Sequence, residues 1–162
     1  MSNQASSPQE QAVTALLRRG LTLATAESCT GGWVGKLLTE VSGASAVYKG
    51  GVIAYANEVK TALLGVGEAL LEAQGAVCED VALQMARGVC ARLGTDCGIG
   101  ITGIAGPTGG TAEKPVGLVY VGVCTPQGEV CVKLLSQEPT RDGVRLEAAR
   151  TALSLLCRRL EA

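Results

Sequence analysis

The sequence predicts a single α/β domain in which helices are layered on a mixed β-sheet. Apolar strand-like runs alternate with amphipathic helical stretches along the chain, which is the pattern of α/β folds. The last two predicted strands are joined by the short turn 126–128 and therefore form a hairpin. At 162 residues the chain is long enough for one domain and too short for two domains of ordinary size.

The first elements follow from apolar spacing and from glycine. Apolar residues from 13 to 17 make a helical stripe, which Gly20 stops after a basic last turn. The apolar run 21–26 predicts a strand, and helical spacing resumes over 33–41. The glycines between strand and helix mark a tight turn.

The middle of the chain continues the alternation. The run 51–56 predicts a second strand, and Asn57, a good N-cap, predicts that a helix begins there, with Glu58 in its first turn. A longer amphipathic helix over 79–93 has acidic residues at its positive end. Residues 97–102 predict the third strand.

The last third predicts the hairpin and a closing helix. Residues 116–124 are nearly all apolar, as in a strand that is covered on both faces. Residues 130–134 alternate apolar and polar, which is typical of a strand with one solvated face. Helical spacing over 146–160 predicts the closing helix.

Composition narrows the function classes. The net charge of −1 gives no electrostatic footprint for nucleic acid, and no basic amphipathic helix or bilayer-length apolar run indicates a membrane partner. The polar residues 1–8 predict a flexible N-terminal tail before a domain over 9–162. Seven cysteines without a Cys-x-x-Cys pair, and no leader segment, favour a cytoplasmic location.

The chain contains no histidine. Its absence excludes Ser–His–Asp and Cys–His catalysis and removes the commonest transition-metal ligand. Proton transfer near neutral pH must therefore use lysine, a carboxylate, tyrosine or water.

The segment 25–32, Thr-Ala-Glu-Ser-Cys-Thr-Gly-Gly, is the most informative stretch. It ends a predicted strand in small polar residues, so that Ser28 can be held beside free backbone N–H groups near Thr30 and Gly31. A serine here is more often a cap or a turn former. Cys29 is the rival nucleophile, and Glu27 either orients the turn or belongs to the site.

A second glycine-rich turn, 102–110, follows another buried-looking strand. Its amides can cradle a phosphate, although turn formation for its own sake is about as probable an interpretation of this segment alone. A P-loop is rejected at Gly31–Leu37, because the glycine spacing is wrong and Leu37 replaces the hydroxyl that would hold Mg²⁺.

Lys60 is the candidate base. It lies shortly after the second predicted strand, which places Tyr55 and Lys60 near the sheet end that carries Ser28. A lysine in a cleft can lose its proton near neutrality and replace the missing imidazole, whereas the default interpretation is a solvated charge. Arg141 and Arg145 lie four apart on one helix face, for which surface solvation is the default.

Five blocks of the chain, taken together, resemble the CinA C-terminal domain family of competence-damage-inducible proteins. They are 25–32, Tyr55-x-Asn57-Glu58-x-Lys60, Gly75-Ala76-Val77, Thr102-Gly103-Ile104-Ala105-Gly106-Pro107, and Gly109-Gly110 with Lys114-Pro115-Val116-Gly117. The resemblance implies a three-layer α/β/α sandwich. It also implies hydrolysis of nicotinamide mononucleotide to nicotinic acid mononucleotide and ammonia, in the recycling of pyridine nucleotides.

The resemblance further implies a serine–lysine mechanism, for which we expect no metal and no cofactor. Ser28 would be the nucleophile and Lys60 its general base, Tyr55 and Thr102 would assist, and Arg141 would bind substrate. One departure concerns Arg141, since Pro139-Thr140 stands where the family usually has Gly-Asp. The predicted substrate-binding residues are Thr30, Gly31, Gly32, Gly103, Gly106, Gly109, Gly110 and Arg141.

Two other functions fit the same predicted pocket. One is a non-catalytic nucleotide-binding or protein-interaction module linked to competence or the response to DNA damage. The other is an amidase for a different pyridine or nucleoside amide. An apolar domain with few charges is also compatible with a homo-oligomer.

Overall fold

The protein was analysed as a computed structural model, which describes residues 4–161. Its five strands are β1 (Leu23–Glu27), β2 (Tyr48–Ile53), β3 (Cys97–Gly103), β4 (Leu118–Thr125) and β5 (Gly128–Leu135). They form one mixed sheet in the order β2-β1-β3-β4-β5. Strand β1 is parallel to both of its neighbours, whereas the β3–β4 and β4–β5 pairs are antiparallel.

The six helices are α1 (Pro8–Arg19), α2 (Trp33–Thr39), α3 (Asn57–Leu64), α4 (Glu68–Gln74), α5 (Glu79–Leu93) and α6 (Arg141–Glu161). Helices α1, α2 and α6 pack on one face of the sheet, and α3, α4 and α5 pack on the other. The α/β fold with a mixed sheet, in three layers, is therefore confirmed.

Alternating side chains of the central strands divide the core between the two layers. Ile99 and Ile101 of β3 are fully buried and point to the α1–α2–α6 face. Gly98 and Gly100 alternate with them and face α5. A Cβ at Gly100 would lie 2.2 Å from the carbonyl oxygen of Ala82, so only glycine lets α5 approach the strand this closely.

The second strand does not lie where the sequence predicted it. Its observed bounds are Tyr48–Ile53 instead of 51–56, so Tyr55 lies in the loop after the strand. The glycine pair at 50–51 is inside the strand because β2 packs tightly there. A Cβ at Gly51 would lie 2.5 Å from the hydroxyl of Thr25.

The short helix α4 is a second difference, because the sequence analysis left residues 68–74 unassigned. At the N-terminus, Ser7 and Glu10 form a capping box and Pro8 is the first helical residue. Residues 1–3 of the predicted tail lie outside the described residues.

The topology creates a crevice at the carboxyl ends of β1 and β3. From β1 the chain passes through α2 to β2 on one side, and it returns through α3–α5 to β3 on the other side. Such a switch point is where open α/β sheets usually bind ligands. Ser28 directly follows β1, and Thr102 lies at the end of β3.

Candidate active site

The turn after β1 is fixed from two sides. The N–H of Ser28 donates to the carbonyl oxygen of Ile101 at 3.1 Å, which ties the turn to β3. The buried carboxylate of Glu27 accepts the N–H groups of Val34 at 3.0 Å and Gly35 at 3.2 Å, which ties it to α2. These bonds fit a carboxylate that orients the turn, which is the first of the two roles that the sequence left open for Glu27.

Lys60 contacts Ser28 inside the fold. The side chain of Lys60 is only 1% exposed, and its Nζ lies 3.0 Å from Oγ of Ser28. The same Nζ donates to the carbonyl oxygens of Ala54 at 2.8 Å and Tyr55 at 3.0 Å. A neutral amine has two hydrogens and one lone pair, so two carbonyl acceptors leave the lone pair for the hydroxyl of Ser28.

Burial lowers the pKa of Lys60, and desolvation of the ammonium is the largest cause. Within residues 4–161 no carboxylate oxygen lies within 4.0 Å of its Nζ to offset that cost. Electrostatic interactions with Cys29 and Glu58 are smaller contributions that raise this pKa. Burial therefore shifts Lys60 towards the uncharged amine, which is the form that can accept a proton.

Cys29 is poorly suited to be the nucleophile. Its side chain is only 6% exposed, and burial raises the pKa of its thiol to about 11. A thiol with so high a pKa carries little thiolate near neutral pH. The geometry therefore favours Ser28 over its neighbour.

The second glycine-rich turn closes the other side of the crevice. The hydroxyl of Thr102 donates to the carbonyl oxygen of Ala76 at 2.8 Å and so anchors the segment that leads into α5. Beyond β3, a run of amide N–H groups donates to no protein acceptor within residues 4–161: those of Ala105, Gly106, Thr108, Gly109 and Gly110. Amides arranged in this way can bind an anion.

Arg141 lies beside this turn despite the departure that precedes it. Its Nη1 donates to the carbonyl oxygen of Gly106 at 2.7 Å, and its Nη2 lies 3.4 Å from the hydroxyl of Tyr55. The hydroxyl of Thr140 accepts the N–H of Gly143 at 2.9 Å, which is an N-cap interaction. Threonine therefore performs the capping role for which aspartate is equally suited, and α6 still begins at Arg141.

These groups meet in a cleft of about 340 Å³, within the usual range of roughly 300–1,000 Å³ for small-molecule sites. The predicted site residues that line it are Ser28, Tyr55, Lys60, Thr102, Gly103, Gly106, Gly109 and Arg141. Tyr55 is 65% exposed at the edge of the cleft.

The structure does not bring Thr30, Gly31 and Gly32 into this lining. They border a separate shallow groove beside Trp33. The N–H of Gly31 already donates to the carbonyl oxygen of Ser28 at 3.1 Å, whereas those of Cys29 and Thr30 have no acceptor within residues 4–161. Gly110 also lies outside the lining, although its amide continues the run described above.

Two polar lining residues, Asn57 and Thr108, were not predicted as site residues by the sequence analysis. Asn57 was predicted to cap α3, but Ala56 occupies the cap position and no side chain caps that helix. The side chain of Asn57 therefore remains exposed at the cleft. The signal was its place in the block Tyr55-x-Asn57-Glu58-x-Lys60, which we interpreted only as a helix start.

Residues 4–161 contain no group of three or more cysteine and carboxylate side chains arranged to hold a metal ion. In the same part of the chain, no helix combines the length and apolar character that a bilayer span requires.

Comparison with known families identifies the fold and its relatives. The model of the CinA C-terminal domain matches residues 5–160, almost the whole chain. The chain belongs to the CinA C-terminal domain family. A CinA-like protein of Thermosynechococcus vestitus is 54% identical over 147 residues, which are 90% of this chain and 35% of that protein. A putative competence-damage inducible protein of Halothermothrix orenii is 49% identical over the same shares.

Solved CinA-superfamily structures agree with the fold. The crystal structure of the competence/damage inducible protein CihA from Agrobacterium tumefaciens matches with a TM-score of 0.91 and 40% identity, over 100% of both chains. A superfamily protein of Escherichia coli matches with a TM-score of 0.87 and 30% identity, over 96% of this chain and 94% of that one. The chain spans about a third of the length of the curated relatives it matches.

Proposed function

We propose that this chain is an amidohydrolase that converts nicotinamide mononucleotide and water into nicotinic acid mononucleotide and ammonia. The observation that carries the proposal is the buried contact between Nζ of Lys60 and Oγ of Ser28, at 3.0 Å. Two backbone carbonyls occupy the amine's hydrogens and leave its lone pair for the hydroxyl. A nucleophile beside a general base that other groups orient is the arrangement used in covalent hydrolysis.

In the first half of the reaction, Oγ of Ser28 attacks the carboxamide carbon while Lys60 takes the hydroxyl proton. The C–N bond then breaks, and Lys60 returns that proton to the departing nitrogen, which leaves as ammonia. The product of this step is an ester between Ser28 and the pyridine carbonyl. Lys60 ends the step neutral, as it began.

In the second half, Lys60 takes a proton from water as the water oxygen attacks the ester carbon. The C–O bond to Ser28 breaks, the serine regains its proton from Lys60, and the carboxylic acid is released. No redox step and no cofactor enters this sequence. The balance is one amide and one water consumed for one acid and one ammonia formed.

The negative oxygen that develops on the attacked carbon needs hydrogen-bond donors. The N–H of Cys29 is the candidate, because it donates to no protein acceptor within residues 4–161 and Cys29 lines the cleft. The N–H of Thr30 is also unpaired, but Thr30 is fully buried outside that lining. Gly31, which we predicted from the sequence as a donor, already uses its N–H on Ser28. One such donor is worth about 3 kcal/mol in comparable sites.

The charges of the substrate suit the cleft. The positive pyridinium ring disfavours a second cation beside it and so favours neutral Lys60. The phosphate would bind the guanidinium of Arg141 and the unpaired N–H groups of residues 105, 106 and 108–110. The seven unpaired cysteines are consistent with the reducing cytoplasm in which we place this reaction.

The test is ammonia release from nicotinamide mononucleotide by the purified protein. We expect steady turnover, its loss in Ser28→Ala, and no change in Ser45→Ala, since Ser45 is an exposed serine outside the cleft. Nicotinamide riboside, which lacks the phosphate, should react with a higher KM. Binding of the mononucleotide without any ammonia would instead support a non-catalytic nucleotide-binding module.

A further inference from the structure

Two sequence blocks that the proposed reaction does not use, 75–77 and 114–117, meet in the structure. The ammonium of Lys114 donates to the carbonyl oxygen of Gln74, the last residue of α4, which directly precedes Gly75. The two partners lie 40 positions apart in the chain. Carbonyl groups at the C-terminal end of a helix stabilise a cation, and the last turn of α4 contains no basic residue of its own. Lys114 supplies that cation from another part of the fold.

The segment that Lys114 contacts forms one wall of the cleft. Gly75 ends α4 with a φ of +72°, in the left-handed region that glycine adopts without strain, and Ala76 and Val77 then line the cleft. The carbonyl oxygen of Ala76 accepts the hydroxyl of Thr102 at 2.8 Å, which ties this wall to β3. Lys114 therefore binds to a segment that is already held in place.

The residues around Lys114 pack against the glycine-rich turn. The N–H of Lys114 donates to the hydroxyl of Thr111 at 3.0 Å, and the N–H of Thr111 donates to the carbonyl oxygen of Lys114 at 2.8 Å. Val116 lies against two glycines of the turn. A Cβ at Gly110 would lie 2.7 Å from the N atom of Val116, and a Cβ at Gly106 would lie 2.4 Å from its Cγ1. The part of the loop that carries Lys114 is thus in direct contact with the part that carries the unpaired amides.

Two cations tie this loop to the two helical layers. Nη1 of Arg141, at the start of α6, donates to the carbonyl oxygen of Gly106 at 2.7 Å, and Lys114 reaches α4 on the other face of the sheet. Arg141 lines the cleft, whereas Lys114 does not. Lys114 can therefore act on a ligand only through the loop that it holds.

We propose that Lys114 is a positioning residue for the phosphate of the substrate. It holds the turn 105–110 against the wall formed by Ala76 and Val77, so that the unpaired N–H groups are aligned before an anion arrives. Donors that are ordered in advance bind more tightly, because less conformational entropy is lost on binding. The inference rests on the proposed function in one respect, which is that the anion belongs to nicotinamide mononucleotide.

The first test is kinetic and compares the wild type with Lys114→Met, Lys114→Arg and the control Lys133→Met. Methionine removes the ammonium with little change in length, arginine keeps a cationic donor, and Lys133 is an exposed lysine on β5. In Lys114→Met we expect KM for nicotinamide mononucleotide to rise about tenfold, the lower end of what a hydrogen bond to a charged group contributes, while kcat changes less than about twofold. Lys114→Arg should recover most of the loss, and Lys133→Met should match the wild type. KM for nicotinamide riboside, which has no phosphate, should be equal in all four proteins.

The second test is a binding measurement that does not depend on turnover. Ribose 5-phosphate carries the phosphate without the pyridine amide, and calorimetry gives its Kd even for a protein that releases no ammonia. We expect Lys114→Met to raise this Kd about tenfold, by the same factor at low salt and at about 0.3 M salt. A charge that acted on the phosphate through solvent would instead lose its effect at the higher salt concentration.

Equal KM and Kd values in the wild type and Lys114→Met would overturn the inference and leave the proposed function standing. An effect of Lys114→Met that disappears at the higher salt concentration would also overturn it, as would an equally large effect on nicotinamide riboside, which would indicate a general distortion of the cleft. Weaker binding of ribose 5-phosphate by Lys114→Met, with a wild type that releases no ammonia, would support the inference and refute the proposed function. A wild type that neither binds ribose 5-phosphate nor releases ammonia would refute both.

Discussion

Replacement of Lys60 gives the sharpest prediction about the site. Lys60→Met keeps the length of the side chain in its buried position but removes the atom that lies 3.0 Å from Oγ of Ser28. Positioned general bases contribute about 10²- to 10⁴-fold to rate, which corresponds to about 3 to 5 kcal/mol of activation free energy at 1.36 kcal/mol for each tenfold change. We therefore expect kcat for ammonia release to fall by at least about a hundredfold.

Lys60→Arg separates proton transfer from charge. Arginine keeps a cation and its donors at this position but cannot lose its proton, so it cannot act as the base. We expect both variants to be inactive in a coupled ammonia assay, while Lys49→Met, an exposed change on β2, should behave as the wild type. In the wild type, kcat/KM should rise with pH to a plateau, with a midpoint below the ordinary lysine pKa of 10.5.

The outcome that would refute this reasoning is specific. If Lys60→Arg kept more than about a tenth of the wild-type kcat, the positive charge would matter and the neutral amine would not. A wild-type profile that falls as pH rises through this range would contradict the account in the same way.

Three further predictions follow from the same contacts. Cys29→Ala should lower kcat less than about threefold in the ammonia assay, because its buried thiol has a pKa of about 11, and loss of activity there would make Cys29 the nucleophile. The pKa of Lys60 is lowered in the folded protein from its unfolded value of 10.5, so between these two values the unfolded chain binds more protons than the folded chain. The free energy of unfolding of the wild type, measured in urea relative to Lys60→Met, should therefore rise with pH in this window. A difference that does not change with pH would refute the lowered pKa. Glu27→Ala should lower the free energy of unfolding by about 2 to 4 kcal/mol in the same measurement, because two amides of α2 lose their buried acceptor. The control Glu40→Ala, at an exposed position, should lower it by almost nothing. Equal losses in the two variants would contradict this role of Glu27.

Much of the architecture could be predicted because local pattern and tertiary structure agree. The β3 segment is a continuous apolar run, and it is buried on both faces in the structure. The shifted bounds of β2 arise because a glycine pair is compatible with either a turn or a close backbone approach. At 50–51 the structure shows the close approach, since both glycines lie inside β2 and Gly51 packs against Thr25.

The candidate site could also be predicted only in part. Ser28 and Lys60 could be predicted to share a sheet end, since each follows a predicted strand, and they meet at 3.0 Å. The exact bounds of the cleft could not be predicted, because they depend on which amides the turn already uses. The N–H of Gly31 already donates to the carbonyl oxygen of Ser28, and no sequence pattern predicts that hydrogen bond.

Arg145 shows a further limit of sequence reasoning. Its spacing from Arg141 correctly predicted a shared helix face, and solvation was the sensible default for that face. The hydrogen bonds from its guanidinium to the carbonyl oxygens of Cys29 and Thr30 depend on how α6 packs beside the first turn, which joins residues more than a hundred positions apart in the chain.

The covalent ester on Ser28 is the most direct test of the central claim. The protein would be mixed with nicotinamide mononucleotide, quenched in acid during the first turnover, digested, and its peptides weighed by mass spectrometry. The account predicts that the peptide containing Ser28 gains the mass of the substrate less ammonia, and that the adduct is absent from Lys60→Met. Ammonia released in that turnover with Ser28 unmodified, or with the adduct on Cys29, would contradict it.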